Sequence, residues 1–270
     1  MRRRPHAELT DVRTDVRPAA ADCGGCHVEI HREWAASARA ESYGRKAFVD
    51  ATTDRTTGAC LGCHAPESIY VDGVPRVRAT RREEGVTCIA CHLDGGVLAG
   101  PAPALALLEP HPIAAERAIY RQSDLCGKCH EGTFREWQAA PAPPETEKRT
   151  CQDCHMPRVV RKTTQATDAL SAVLVSFEDE FDGRRHTFHL GALEGFAGAV
   201  AASIEDVRRP GDDVLRCTLV VTNRLPHLLP TGDFGARPIA IEVEASDARG
   251  SRISALPGRA PEAARDGPRP

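Results

Sequence analysis

The chain has 270 residues and a formal net charge of −3. That is long enough for one or two domains with a real core, and it gives no basic excess to mark nucleic acid or an anionic lipid surface as a partner. Seven Phe, three Tyr and two Trp stand against 20 Pro and 22 Gly, a poor supply of large side chains, so something other than protein is expected to fill the interior. No apolar run reaches the length of a membrane span; the best, "FAGAVAA" from Phe196, is far too short.

Residues 1–22 begin with a basic "MRRRP" and have no apolar stretch behind it. They read as a disordered or trimmed lead rather than an export signal. From Cys23 to about residue 160 the chain is a string of one repeated word. Ten of the 11 cysteines form Cys-x-x-Cys pairs: Cys23/Cys26, Cys60/Cys63, Cys88/Cys91, Cys126/Cys129 and Cys151/Cys154. A histidine follows each pair at once: His27, His64, His92, His130 and His155. A disulfide framework gives no reason for those histidines. Zinc ribbons take two pairs per metal and would leave the fifth pair alone. Covalent c-type haem accounts for every feature, because two thiols add to the porphyrin vinyl groups and the adjacent histidine becomes the proximal iron ligand. The expected cofactors are therefore five c-type haems, held by all ten paired cysteines, and the missing bulk of the core is porphyrin.

Each iron has a sixth position. With two methionines in the chain, one of them the initiator and the other, Met156, directly behind a proximal histidine, His/Met ligation is not the general scheme. Six histidines lie outside the anchors. His111, His186 and His227 are taken as distal ligands, His31 and His189 as further candidates, and His6 stands apart in the polar lead.

Between the words, "HVEIHREWAASARAESYGRKAF" reads as a helix leaving the first anchor, with His27 and His31 four apart on one face. "SDLCGKCHEGTFREWQ" repeats the plan, so "CHVEIHREW" and "CHEGTFREW" form an internal repeat of a haem–helix unit. Past residue 165 the texture becomes strand-like in "SAVLVSFE", "AVAASIEDV", "DVLRCTLVVTN" and "RPIAIEVEASDARG". The fold expected is a mainly irregular and α-helical multihaem cytochrome domain over 23–160, organised around stacked haems. A small β-sandwich-like domain over 165–256 follows and supplies distal ligands, and 257–270 form a disordered tail. Cys217 alternates with Leu215, Leu219 and Val221 and is read as core packing.

"CGGCHVEIHREWAASARA", "CLGCHAPES", "EGVTCIACH", "LCGKCHEGTFREW" and "CQDCHMP" resemble, in order, the haem motifs of the multihaem cytochromes c of the hydroxylamine-oxidoreductase superfamily, tetrahaem cytochromes included. "RRHTFHLG" and "VTNRLPHLLPTGDFGARPIAIEVEASDARG" resemble the β-rich C-terminal module of some members. The resemblance implies a stacked-haem electron conduit in the periplasm or at the cell surface, where haem is attached. It implies His186 and His227 as distal ligands, and redox proteins as partners: a quinol-side donor and a terminal acceptor or reductase. Where members carry a distal histidine, "WAASARA" has Arg39. That departure opens a second reading, a reductase or oxidase of a small nitrogen or sulfur compound at one five-coordinate haem with Arg39 beside it. A third is a homo-oligomeric, conductive cytochrome filament.

Overall fold

A computed structural model of the chain describes residues 17–94, 96–101, 113–114, 118–142, 148–188, 198–211, 214–231 and 244–253. His111 and His189 lie outside the described residues, as does the tail from 257. Two compact units are present, Met1–Asp233 and Phe234–Pro270. The first therefore takes in both the anchors and most of the segment read as a separate β-rich domain.

A turn of helix sets residues three and four apart on one face, so the word Cys-x-x-Cys-His needs one helical turn to turn both thiols and the ring the same way. Anchors two, three and five do this within a single helix. The first unit begins with α1 (Ala20–Gly24), α2 (Val28–Ala35), α3 (Lys46–Ala51), α4 (Gly58–His64) and α5 (Cys88–His92). It continues with α6 (Asp124–Gly127), α7 (Glu131–Ala139), α8 (Cys151–His155) and α9 (Ala169–Ser176). In anchors one and four the helix stops at the glycine after the first cysteine, and His27 and His130 become the N-caps of α2 and α7.

Strands join these helices locally. β1 (Leu93–Asp94), β2 (Val97–Ala99) and β3 (Ile113–Ala114) form a small sheet behind the third anchor; β1 and β2 run antiparallel, β2 and β3 parallel. β4 (Arg158–Arg161) pairs antiparallel with β5 (Phe181–Arg184), and β6 (Val200–Gly211) with β7 (Val214–Asn223). The second unit contains a two-residue pair, β8 (Ala245–Ser246) and β9 (Arg252–Ile253). The core gathers around the third anchor, where Ile89 is 1 % exposed beside Ala90, Leu93 and Ala99, and includes Trp34, Phe48 and Tyr120.

Three expectations change. The run "SAVLVSFE" is helical, because a short apolar run fits either period and Asp168 decides it: its carboxylate accepts from Ser171 N at 2.7 Å while Ser171 Oγ accepts from Asp168 N at 2.9 Å. Cys217 is exposed rather than packed. Among the described residues β6 and β7 form a ribbon with no second layer over it, which leaves Ile204 and Leu215 in solvent too. The end of the lead, from Arg17, belongs to the folded unit. The Arg17 guanidinium pairs with Glu67, its carbonyl accepts from Arg81, and α1 starts at Ala20.

The third anchor is seated by a single glycine. Gly85 sits at φ +62°, and a Cβ there would lie 2.4 Å from Arg39 O and 2.7 Å from Ala40 O. The close approach lets Val86 N reach Arg39 O at 3.0 Å and Val86 O accept from Trp34 Nε1 at 2.8 Å. Gly85→Ala is expected to cost roughly 2–4 kcal/mol, the sum of left-handed strain and overpacking. Thermal unfolding of the holoprotein measures it, and an unchanged melting temperature would show the approach to be slack.

Candidate functional site

The five anchors converge in the first unit. Thiols of different anchors touch: Cys23 hydrogen-bonds Cys88, Cys63 bonds Cys129, and Cys126 bonds Cys151. Cys91 also lies within electrostatic reach of Cys126 and Cys129. The third anchor therefore borders the first and fourth, and the fourth borders the second, third and fifth. The contacts split the thiols' acidity. Hydrogen bonding from Cys129 brings Cys63 down to about 7, and hydrogen bonding from Cys126 brings Cys151 down to about 6. Their partners move up by the same bonds and by burial.

One anchor cysteine departs from the expectation of an interior site. Cys26 is exposed, whereas the other nine anchor cysteines are half-buried. The reason is local. α1 ends at Gly24, so Cys26 falls in the turn between α1 and α2, and the two preceding glycines carry no side chains to cover it. Its backbone is nevertheless fixed: Cys26 N donates to Cys23 O at 3.2 Å and Cys26 O accepts from Gln165 N at 2.8 Å. The haem-binding reading of Cys26 thus rests on its place in the motif and not on enclosure by protein.

The histidines share one arrangement. Nδ1 of His27 lies 2.8 Å from Thr163 O, that of His64 2.8 Å from Ser42 O, and that of His92 2.8 Å from Ala99 O. Nδ1 of His186 lies 3.1 Å from Arg184 O, and that of His227 3.0 Å from Leu228 O. A carbonyl has no proton to give, so in each case Nδ1 carries the hydrogen and Nε2 keeps its lone pair. That is the tautomer and tether a metal-ligating imidazole needs. Burial holds His92 below the usual imidazole range and takes His186 down to about 3, so both rings stay neutral, as ligands must.

Two of the expected distal histidines face anchor histidines. The rings of His92 and His186 have centroids 6.2 Å apart, and those of His155 and His227 6.4 Å apart. Two imidazoles bound through nitrogen to one metal, at roughly 2 Å each, place their centroids roughly 6 Å apart. The donor sets fit an iron between each pair.

His31 is placed differently. Its ring packs on Gly24, where a Cβ would come within 2.8 Å of it, and lies 5.5 Å from Trp34. In the repeat, Phe134 packs on Gly127 at the same 2.8 Å and lies 5.6 Å from Trp137. The position is one for aromatic packing, on the same helix as proximal His27. Arg39 lies with its guanidinium 4.4 Å from the centroid of the Phe188 ring, and its charge acts on Cys91, Cys126 and Cys129.

Several residues at the site are absent from the sequence reading. Tyr120 stacks on His92 at 5.2 Å while its hydroxyl donates to Cys91 O and Ala99 O. Glu33, its side chain 11 % exposed, takes two 2.8 Å bonds from Arg161, one from Arg185, and one from His186 N. Glu136 accepts from Leu228 N and Thr231 Oγ1. The repeated "REW" is the signal that could have found both glutamates.

Residues 22–93 match the family model of cytochrome c554 and c-prime. The fold is similar to that of a penta-haem cytochrome c552 from Thermochromatium tepidum, with a TM-score of 0.56 at 18 % identity, over 88 % of this chain and 73 % of that one. No curated protein matches in sequence. With the repeated anchors, these likenesses support a multihaem c-type cytochrome. Among the described residues no helix is long and apolar enough to cross a membrane.

His31→Phe is expected to leave the spin state of the oxidised holoprotein unchanged in low-temperature EPR, since Phe134 already fills the matching place. A new high-spin ferric signal would make His31 a ligand.

Proposed function

We propose that the protein is an electron carrier of the hydroxylamine-oxidoreductase and tetrahaem cytochrome superfamily. In this reading it binds five covalent, stacked haems and works in the periplasm or at the cell surface between a quinol-side donor and a terminal acceptor or reductase. The β6–β7 ribbon belongs to a small β-sandwich-like domain. The observation that carries the reading is the convergence of five anchors whose thiols touch across three pairs of motifs.

Haem iron supplies reversible one-electron chemistry when bound. The chain's own residues do the rest. The carbonyls of Thr163, Ser42 and Ala99 orient the anchor rings. His186 and His227 would hold two of the irons together with His92 and His155, whose rings they face. A second histidine would leave these two irons no open position for substrate, which favours relay at the third and fifth anchors. Arg39 contributes a positive charge between the third and fourth anchors.

The purified holoprotein is expected to carry five haems by intact mass and pyridine haemochrome. His186→Ala and His227→Ala are each expected to turn one haem in five high-spin. Arg39→Gln removes a cation and is expected to lower the nearest potentials by roughly tens of millivolts, read by spectroelectrochemical titration. A parent protein with a high-spin iron that takes up nitrite or carbon monoxide would replace relay with the reductase reading.

A further inference from the structure

We infer that α2 and α7 each clamp both sides of a haem that is not attached to them, and that Glu33 and Glu136 are the positioning residues for its distal histidine. The inference rests on reading His186 and His227 as distal ligands.

The two helices occupy equal places in the repeat. Glu33 and Trp34 follow His27 by six and seven residues, as Glu136 and Trp137 follow His130. Both tryptophans then do the same thing. Trp34 Nε1 donates to Val86 O at 2.8 Å, two residues before Cys88, and Trp137 Nε1 donates to Arg149 O at 2.9 Å, two residues before Cys151. Each indole therefore holds the chain entering another anchor, the third in one case and the fifth in the other. Val86 and Arg149 also directly precede Thr87 and Thr150, the N-caps of α5 and α8.

The glutamates reach the opposite side of those same anchors. Glu33 Oε2 accepts from His186 N at 2.8 Å, and His186 faces His92 of the third anchor. Glu136 Oε2 accepts from Leu228 N at 3.0 Å and from Thr231 Oγ1 at 2.8 Å. Leu228 adjoins His227, which faces His155 of the fifth anchor. So each "EW" pair ties the proximal anchor with its indole and the distal segment with its carboxylate. Two sequence-distant segments are thus held from one rigid turn of helix, and the gap between their imidazoles is set before a metal enters it.

The two clamps differ in their surroundings. Glu33 also takes Arg161 and Arg185, so its charge is matched; among the described residues Glu136 accepts from an N–H and a hydroxyl and pairs with no guanidinium. An amide can replace the second glutamate more readily than the first, because a glutamine oxygen still accepts from an N–H and a hydroxyl but no longer pairs with guanidinium.

The test uses the oxidised holoprotein with full haem content and low-temperature EPR to count high-spin iron. Glu136→Ala is expected to convert up to one haem in five to high-spin and to let added imidazole restore it. Glu136→Gln is expected to stay low-spin like the parent. Glu33→Ala is expected to convert a second, different haem, Glu33→Gln to fall between, and the double alanine variant to reach two in five. His186→Ala and His227→Ala serve as references. If they turn high-spin while both glutamate-to-alanine variants keep the parent spectrum, the clamp is wrong and the ligand assignment stands. If the histidine variants also keep it, the ligand assignment falls and the clamp with it. Loss of haem, or high-spin iron spread over several haems with no imidazole rescue, would reduce the glutamates to ordinary structural residues.

Discussion

An imidazole has one nitrogen to give a metal and a second that must be tied elsewhere, and this constraint runs through the whole structure. In His27, His64, His92, His186 and His227 the ring bond runs from Nδ1 to a backbone carbonyl. Because carbonyls only accept, the bond fixes the tautomer as well as the direction of the ring. For His186 and His227 the carbonyl lies within two residues, at Arg184 and Leu228, so their rings are preset by local turns. For His27 it comes from Thr163, 136 residues away. The ring of the first anchor is therefore aimed only once β4 and the loop after it have docked on α2.

That docking explains where charge has been buried. Helices of four to nine residues are too short to persist alone, and with few aromatics there is little apolar area to hold them together. Glu33 replaces some of it with a network: Arg161 chelates both its oxygens, Arg185 adds a third contact, and His186 N a fourth. A carboxylate so enclosed keeps its proton off: burial pushes its pKa up, but the bonds from Arg161 and His186 N and the charge of Arg185 together hold it below the usual carboxylate range. Glu178 works likewise outside the anchors, where Thr163 and Thr164 give it both their N–H groups and their hydroxyls. These carboxylates brace the strand segment whose Thr163 carbonyl orients His27, and whose Gln165 N–H holds the otherwise uncovered turn at Cys26.

The anchors were legible because their chemistry demands fixed residue types at fixed spacing: three contiguous requirements in five residues leave few other readings. The motif says nothing of how deep each thiol lies, which is why the exposure of Cys26 had no signal beyond the glycines before it. The repeat of "REW" was legible as a pattern but not as a function, since the partners of Glu33 and Glu136 lie on segments at 186 and 228 that no local rule connects to them. The strand reading of 171–178 failed for a different reason. Val and Leu in a short run satisfy both periods, and one capping aspartate outweighed the β-branched residues. Cys217 followed a correct alternation on β7, but alternation says which side chains share a face and not whether anything covers it.

The neighbour relations among anchors bear on how a carrier of this arrangement would route charge. A simple wire gives every interior site two neighbours. Here the fourth anchor has three among the described residues: its thiols meet those of the second and fifth, and Cys91 of the third lies within electrostatic reach. The first anchor reaches the rest through the third. Arg39 places its charge on the anchors either side of the third-to-fourth step, where a cation stabilises the reduced state of whatever iron lies near it. Its guanidinium lies over Phe188, two residues from His186, so the segment whose His186 ring faces His92 also packs against that charge. The His186 ring and the contact of Arg39 are thereby tied to a single piece of chain, which α2 grips through Glu33.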